Sequence, residues 1–525
     1  MTLSLSELVA ALPEARLRGG ADGSTPAIRA ITHDSRRVTP GSLYVAYRGV
    51  AVDGHDFLPA AVAAGTVAVV TEREVEGLGV PQVVVPDGRQ ALAYLSAAWQ
   101  GYPARKLTVI GVTGTDGKTT ACNLLYSILS AAGRRAGLVT TVNAVIGERV
   151  QDTGLHTTTP DAPDMQRYLA EMVEAGMELA VLEATSEGLA QHRVTACDFD
   201  LAVVTNVTHE HLYFHGSIEA YCEAKAMLFH HLSAARLKPG VPKVAVLNRD
   251  DDSYEYLRPI AADRHLAYGI ESPADVSAPD VSAADVSVAD VPEPDVVAAD
   301  VRPGTAETRF LLRGPGVEFP LCTRLVGLYN VSNILAAATA ALALGVPLAA
   351  IQEGVWNVEG IVGRMERVDE GQDFLAIVDF AHTPNALQRA LETARTLTQG
   401  RVIAVFGCAG ERDVQKRAWM GQISARLADV TVMTAEDPRT ESLEAILDEM
   451  ARGAESAGAV LGQDYVRVPD RAEAIQYAVD LARPGDLVIA CGKGHEQSMC
   501  YGTVEHPWSE HAALRTALRR RLDRG

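Results

Sequence analysis

The sequence predicts an α/β protein of three domains, and three observations carry that prediction. The chain has 525 residues, too many for one hydrophobic core, because chains divide into domains of roughly 150 residues. From residue 104 onward, apolar runs of strand length alternate with helical stretches, the pattern of a parallel sheet wound with helices on both faces. Between residues 107 and 133 an apolar strand, LTVIGVTG, runs through GTDGKTT into a helix, TACNLLYSILSAAG, the order that builds a cradle for phosphates. The predicted blocks are 1–103, a mixed α/β domain; 104–358, a doubly wound domain of phosphate-loop type; and 359–525, a Rossmann-like domain.

In the first block, SLYVAYRG and PQVVVPD read as short strands among helices and glycine turns. The turn THDSRRVTPG adds hydroxyls, a carboxylate and two arginines. The second block follows the loop with the strands ELAVLEAT, DLAVVTNV and KVAVLN and with helices such as DMQRYLAEMVEAG. Within the loop, Gly114 and Gly117 let backbone N–H groups turn inward, and the helix N-terminus adds partial positive charge. Lys118 is suited to reach the outer phosphates and Thr119 to hold Mg²⁺. Five residues, not four, separate Gly111 from Gly117, so the loop by itself says nucleotide without naming a family. The third block repeats the strand pattern in FLAIVDF, RVIAVFG, DVTVMTAE and DLVIACGKG.

One stretch of the second block fits no regular element. Asp-Val recurs every five residues from Asp275 to Asp300, and no Lys or Arg occurs from Glu271 to Asp300. Five is the period of neither helix nor strand, so 271–303 is expected to be a solvated insertion.

Composition narrows the function. A net charge of −20 argues against non-specific binding to nucleic acid or to an anionic membrane surface. No apolar run reaches the ~18 residues needed for a membrane span. The N-terminal MTLSLSELVAALPEARL carries Glu7 in its apolar part and no preceding basic region, unlike a secretory signal, so a cytoplasmic protein is expected. The seven cysteines include no CxxC pair and read as buried, reduced thiols.

Polar residues gather where the predicted strands end. These are Glu183; His209, Glu210 and His211; Asp379 and His382; Arg412 and Asp413; Glu436, Asp437 and Arg439; and Lys493, His495 and Glu496. A solvated loop explains any one group, but the carboxyl ends of a parallel sheet open on one cleft, which explains them together. Taken alone, Glu183 reads either as a carboxylate capping the next turn or as an Mg²⁺ ligand. The His-Glu-His triplet lacks a nearby third partner for zinc. Lys225, in AYCEAKAMLFHHL, reads as a solvated surface lysine. Arg439 and Glu496 read either as surface ion pairs or as a clamp for a zwitterion, guanidinium for carboxylate and carboxylate for ammonium.

DSRRVTPGSLYVA, GTDGKTT, TTTPDAPDMQRYLAEMVEAG, LEATSEGLAQHRV, NVTHEHLYFHGSIEAYCEAKAMLF, LVGLYNVSNILAA, GRMERV, DFAHTPNAL, VFGCAGERDVQKR and GKGHE occur in that order. Together they resemble the Mur ligases, and among those the UDP-N-acetylmuramoyl-tripeptide synthetase type, nearly end to end. The resemblance implies an N-terminal UDP-binding domain, a central ATPase domain and a C-terminal domain that takes the amino acid and closes over the site. It implies ATP contacts at Gly114, Thr115, Asp116, Gly117, Lys118, Thr119 and Thr120, with Asn330 and Arg364 in nucleotide-facing segments. Mg²⁺ ligands would be Thr119, Glu183 and His211, with Lys225 holding a second ion after CO₂ converts it to a carbamate. His33 and Ser35 fall on contacts to uridine; Thr157, Thr158, Thr159, Thr185, Gln191 and Arg193 fall on contacts to the muramoyl-dipeptide. Arg412, Glu436, Asp437, Pro438, Arg439, Gly492 and Glu496 fall on the pocket for the incoming diamino acid.

The implied reaction activates the D-glutamate carboxylate of UDP-N-acetylmuramoyl-L-alanyl-D-glutamate as an acyl phosphate and joins it to a diamino acid. Lys118, Glu183, His211 and Lys225 would serve the phosphoryl transfer, and Asp379 and His382 are candidates for handling the amine's proton. The partners implied are small molecules acting on a monomer. The chain departs from the family's usual text at Asp116, at Ser186-Glu187, at Phe380 and Asn385, and at EDPR in place of DNPR. EDPR keeps L-lysine and L-ornithine beside meso-diaminopimelate as acceptors. A MurF- or folylpolyglutamate-type ligase and a non-catalytic nucleotide-binding paralogue are the competing readings.

Overall fold

The computed structural model describes residues 2–19, 25–49, 52–151, 159–208, 215–271, 295–304, 307–314 and 316–524. Thr157, Thr158 and His211 lie outside the described residues, as do His209, Glu210 and most of the Asp-Val stretch.

In the first part of the chain, β1 (Leu3–Ser4) pairs with β3 (Ala27–Ile28). A five-stranded sheet is built from β2 (Arg16–Arg18), β4 (Ala30–Thr32), β5 (Ser42–Val45), β6 (Ala68–Thr71) and β7 (Gln82–Val84), in the order β2-β7-β6-β5-β4. Helix Gly88–Trp99 starts where the Asp87 side chain accepts from the Gln90 N–H, and its Ala91, Leu92 and Leu95 pack on this sheet.

The central sheet has eleven strands. They are β8 (Thr108–Thr113), β9 (Ala136–Val139), β10 (Ala144–Ile146), β11 (Arg149–Gln151), β12 (Leu179–Glu183), β13 (Leu201–Val204), β14 (Val244–Asn248), β15 (Arg264–Ile270), β16 (Val296–Arg302), β17 (Thr308–Gly314) and β18 (Val317–Thr323). Their order is β11-β10-β9-β12-β8-β13-β14-β15-β16-β17-β18. The strands from β9 through β16 in that order run parallel, and antiparallel hairpins extend both edges. β8 is covered on both faces, which is why it reads as an unbroken apolar run. Ile110 and Val112 join the core with helices Lys118–Ala131 and Leu328–Ala343, while Val109 joins the core with helix Ile218–Ala234. Gly111 admits a close crossing there, since a Cβ would lie 2.6 Å from Leu228 and 2.8 Å from Phe199.

β16 corrects the expectation that 271–303 is a solvated insertion. Val296–Arg302 is a ladder strand between β15 and β17, with Val296, Ala298 and Ala299 buried. The five-residue Asp-Val repeat runs into VVAADVR and hides a short strand behind its acids.

The third sheet is formed by β19 (Glu366–Arg367), β20 (Leu375–Asp379), β21 (Val402–Phe406), β22 (Val430–Met433), β23 (Tyr465–Arg467) and β24 (Leu487–Cys491), in the order β19-β20-β24-β21-β22-β23. A hairpin, β25 (Ser498–Tyr501) and β26 (Val504–Pro507), follows. Helices Pro384–Leu397, Gln415–Leu427 and Leu443–Ser456 cover one face; Arg471–Leu481 and Glu510–Leu522 cover the other. All seven cysteines are free; five are buried, whereas Cys222 and Cys322 are only partly so. No helix among the described residues is long and apolar enough to cross a membrane.

Candidate functional site

The carboxyl ends of β8 and β12 and those of β20, β21, β22 and β24 meet around one cavity of about 490 Å³. Its wall carries Thr115 to Thr120, Glu183, Thr185, Arg193, Asn330 and Arg364, together with Asp379, His382, Arg412, Glu436, Asp437, Arg439 and Glu496. Of the strand-end groups singled out in the sequence, Glu183, Asp379, His382, Arg412, Asp413, Glu436, Asp437, Arg439, His495 and Glu496 line this cleft. Lys493 is fully buried and does not line it, and His209, Glu210 and His211 lie outside the described residues.

The phosphate loop is held from behind. Thr205 Oγ1 and Asn206 Nδ2 donate to the Asp116 carbonyl at 2.6 and 3.1 Å, and the Asp116 N–H donates to Asn206 Oδ1 at 3.0 Å. Gly117 takes φ +81°, and a Cβ there would fall 2.1 Å from Asn333 Oδ1. Lys118 Nζ folds back onto the carbonyls of Gly114 and Thr115 at 3.0 and 2.7 Å. Thr119 Oγ1 donates to both Glu183 oxygens at 3.1 and 3.0 Å, and the Thr141 N–H donates to Glu183 Oε2. Glu183 is buried, so a hydroxyl and a carboxylate face each other at the loop's edge, two hard oxygen donors of the kind Mg²⁺ takes.

Lys225 overturns the surface reading. It is 1% exposed, donates to the Gly114 carbonyl at 2.6 Å and lies 4.4 Å above the Tyr221 ring. Tyr221 Oη in turn meets Thr115 Oγ1 at 3.0 Å.

Thr159, Thr185, Gln191 and Arg193 form a second group. Thr159 Oγ1 meets Thr185 Oγ1 at 3.0 Å, Arg193 donates to the Thr159 carbonyl at 2.7 Å, and Arg193 and Arg89 both donate to Gln191 Oε1. A smaller pocket lined by Tyr47, Arg89, Asp161, Gln191 and Arg193 adjoins it, so Arg193 borders both cavities. His33 stacks on Tyr47 with ring centroids 5.9 Å apart; Ser35 opens the adjacent 3-10 turn. Burial lowers the His33 pKa against the pull of Asp161.

In the third domain, Asp437 accepts from Lys493 Nζ at 3.0 Å and from the Cys500 N–H at 2.9 Å. Lys493 also pairs with Glu496 at 2.5 Å. Burial works against the Lys493 charge, but Glu496 and Asp437 outweigh it and raise the pKa. Glu436 is different: its Oε2 is buried with no hydrogen-bond partner, and burial pushes its carboxyl up despite Lys416 and Lys493. Gly492, at φ +109°, lies against it, since a Cβ there would stand 3.4 Å from Glu436 Oε2. Arg439 sits at φ +53° just after Pro438, its N–H donating to the Cys500 carbonyl. Arg471 and Glu510 form a buried, two-point ion pair, and Arg471 also donates to the carbonyls of Ala435 and Cys491. That pair fixes the strand ends that carry Glu436 and Lys493.

At the domain junction, Asp379 accepts from the Met365 N–H at 2.6 Å and the Ala381 N–H at 2.8 Å. Burial raises its pKa and Arg364 opposes the rise. Arg364 lies 4.6 Å over Phe380, whose ring also contacts His382 and His495; burial and then Arg364 depress His495 to about 3. Asn330 bonds Asn333 and the Val326 carbonyl. Asn333, Tyr221, Arg89, Lys416 and Arg389 also line or support these cavities, although their places in the sequence do not single them out. Only Asn333 carries a signal, its i, i+3 spacing from Asn330 on one helix face.

A phosphate loop set across from a mixed acid-base pocket in a second α/β domain defines a nucleotide-dependent enzyme of multidomain type. Residues 27–100 match the Mur ligase family catalytic domain, 112–341 the Mur ligase middle domain, and 363–494 the Mur ligase glutamate ligase domain. The chain belongs to the Mur ligase family. It is 44% identical to a UDP-N-acetylmuramyl-tripeptide synthetase of Roseiflexus sp. (strain RS-1), over 94% of this chain and 95% of that one. It is 42% identical to a UDP-N-acetylmuramoyl-L-alanyl-D-glutamate--2,6-diaminopimelate ligase of Geobacillus thermodenitrificans, over 95% and 96% of the two chains. Among solved structures, a ligase of that same name superposes with a TM-score of 0.65 at 31% identity, covering 99% of this chain and 100% of the other. MurF from Acinetobacter baumannii shares the fold, with a TM-score of 0.63 at 21% identity and 99% of each chain covered.

Proposed function

We propose that this chain joins a diamino acid, meso-diaminopimelate, to UDP-N-acetylmuramoyl-L-alanyl-D-glutamate at the expense of ATP, in the cytoplasm and as a monomer. The observation that carries this reading is the single cavity shared by the phosphate loop, Glu183 and the cluster of Arg412, Glu436, Asp437, Arg439 and Glu496. A ligase must activate a carboxylate and present an amine to it within one dry space, and such positioning supplies much of the rate. Relatives named for 2,6-diaminopimelate support the choice of acceptor.

A carboxylate is a poor acyl donor. Its oxygen therefore attacks the γ-phosphorus of ATP, an acyl phosphate forms and ADP departs; the amine then attacks the acyl carbon and phosphate leaves. Lys118 would exchange the carbonyls of Gly114 and Thr115 for phosphate oxygens, and the loop N–H groups would hold the rest. Thr119 and Glu183 are suited to hold Mg²⁺, with His211 and a carbamate on Lys225 as further ligands; such an ion supplies neutralisation of the transferring phosphoryl charge. Arg193, bordering both cavities, would fix the dipeptide between its uridine end, near His33 and Ser35, and the loop; Thr159, Thr185 and Gln191 would orient that arginine. Asp379 spends both oxygens on backbone N–H groups, so its role is to shape the junction; His382 is the better candidate to take the amine's proton.

L-lysine or L-ornithine is the second reading, raised by the acids Glu436 and Asp437. The bare, buried oxygen of Glu436 would be satisfied by the side-chain ammonium that all three acceptors carry, while an acidic pocket opposes the second carboxylate that only diaminopimelate adds. Protein supplied with the UDP-muramoyl-dipeptide, ATP and Mg²⁺ is expected to release phosphate on addition of meso-diaminopimelate. Release with lysine or ornithine alone reassigns the acceptor, and no release with any of the three refutes the tripeptide-synthetase reading.

A further inference from the structure

A carboxylate inside a phosphate loop opposes the anion the loop is built to receive. Asp116 lies between Gly114 and Lys118, and its backbone N–H and carbonyl are both pinned by Thr205 and Asn206. Those bonds hold the backbone of residue 116 in the loop, so its side chain stays at the loop's mouth in any rotamer. Its Oδ2 is buried and has no hydrogen-bond partner, but it stands 3.6 Å from Arg389 Nη1. Arg389 belongs to helix Pro384–Leu397 of the third domain, which begins just after Asp379 and His382. Both Asp116 and Arg389 line the large cavity. At 3.6 Å the contact is Coulombic, so it cancels the charge of Asp116 without locking the guanidinium in place.

We infer that Arg389 is a positioning residue for ATP: it reaches from the third domain to neutralise Asp116, so that the phosphate loop accepts a polyanion fully only when that domain is docked on it. The inference rests on the reading of 114–120 as the ATP loop. It assigns a purpose to the acid at position 116 and couples nucleotide affinity to domain closure. With the domain withdrawn, the Asp116 charge offsets that of Lys118; with it seated, Arg389 cancels Asp116 and leaves the Lys118 charge for the phosphates.

The pair makes a rescue experiment possible. In the full chain, Arg389→Ala is expected to raise KM for ATP, and the Kd of a non-hydrolysable ATP analogue, by about tenfold, within the range of coupled neighbouring charges. The kcat at saturating ATP should stay within about threefold, because Arg389 acts on binding and not on the transferring phosphoryl. Adding Asp116→Asn to that variant should return both constants to within about threefold of the unaltered protein, since no charge is left to cancel. Arg389→Lys, which keeps the charge, should bind ATP nearly normally and covers the case in which Arg389→Ala lowers the thermal midpoint. An unchanged ATP affinity in Arg389→Ala, or a double variant no better than the single, overturns the inference alone. Unaltered protein that neither binds nor turns over ATP overturns the functional reading and this inference with it.

Discussion

A lysine that is 1% exposed, with its amine 2.6 Å from a loop carbonyl and over a tyrosine ring, is not a surface charge. Burial of an ammonium is costly, and conversion to a carbamate would turn the same side chain into an oxygen donor beside the loop that Glu183 and Thr119 also border. Lys225→Ala is therefore expected to cut kcat by about 10²–10³-fold, the loss typical of removing one electrostatic stabiliser of a transition state. A short carboxylate such as acetate should restore part of it, and Lys225→Arg, which cannot form the carbamate, should stay as slow as Lys225→Ala. Turnover at the unaltered rate in Lys225→Ala would refute the carbamate role. Sequence alone favours the solvated reading, because helix Ile218–Ala234 carries polar residues on several faces and no local pattern marks which of them is covered.

At the scale of elements, the phosphate loop is a backbone device, and Gly117 is its tightest point. Its φ of +81°, and Asn333 Oδ1 only 2.1 Å from where a Cβ would stand, leave no room for a side chain. Gly117→Ala should weaken ATP binding by at least about tenfold, through left-handed strain plus displacement of Asn333, with the third-domain melt unmoved. Calorimetric titration with ADP checks this, and unaltered affinity would show that the loop has slack. The strands flanking the cleft were legible, since β8, β12 and β13 of the central sheet and β20, β21, β22 and β24 of the third are buried parallel strands whose apolar runs end in polar residues. β16 was not, because its acids continue a five-residue repeat. Nor was the contact of Thr115 with Tyr221, 106 residues apart in sequence, since nothing local reports a pairing made by the packing of a distant helix.

For the whole molecule, the cleft depends on two sheets keeping their polar edges aligned, and the far end of the third sheet is tied by one carboxylate. Asp486 accepts from the Arg401 N–H, from two Arg401 guanidinium nitrogens at 3.0 and 2.6 Å, and from the Arg483 N–H. Burial pushes its pKa up, but the hydrogen bonds from Arg401 and Arg483 outweigh it and hold the carboxyl below its ordinary value of 3.8. A carboxyl with a depressed folded-state pKa binds its proton more readily in the unfolded chain. Its contribution is therefore complete above that ordinary value and is lost as pH falls through the lower, folded one. Glu366, held down by His511 and the Gly363 N–H against its own burial, adds in the same direction. Melting followed by circular dichroism should therefore hold steady from about pH 7 to about pH 5 and fall below about pH 4. Asp486→Asn should lower the plateau and make that acid-side decline shallower. A decline as steep as in the unaltered protein would mean that other carboxylates govern acid unfolding, and that the tie between β21 and β24 is held by the backbone ladder alone.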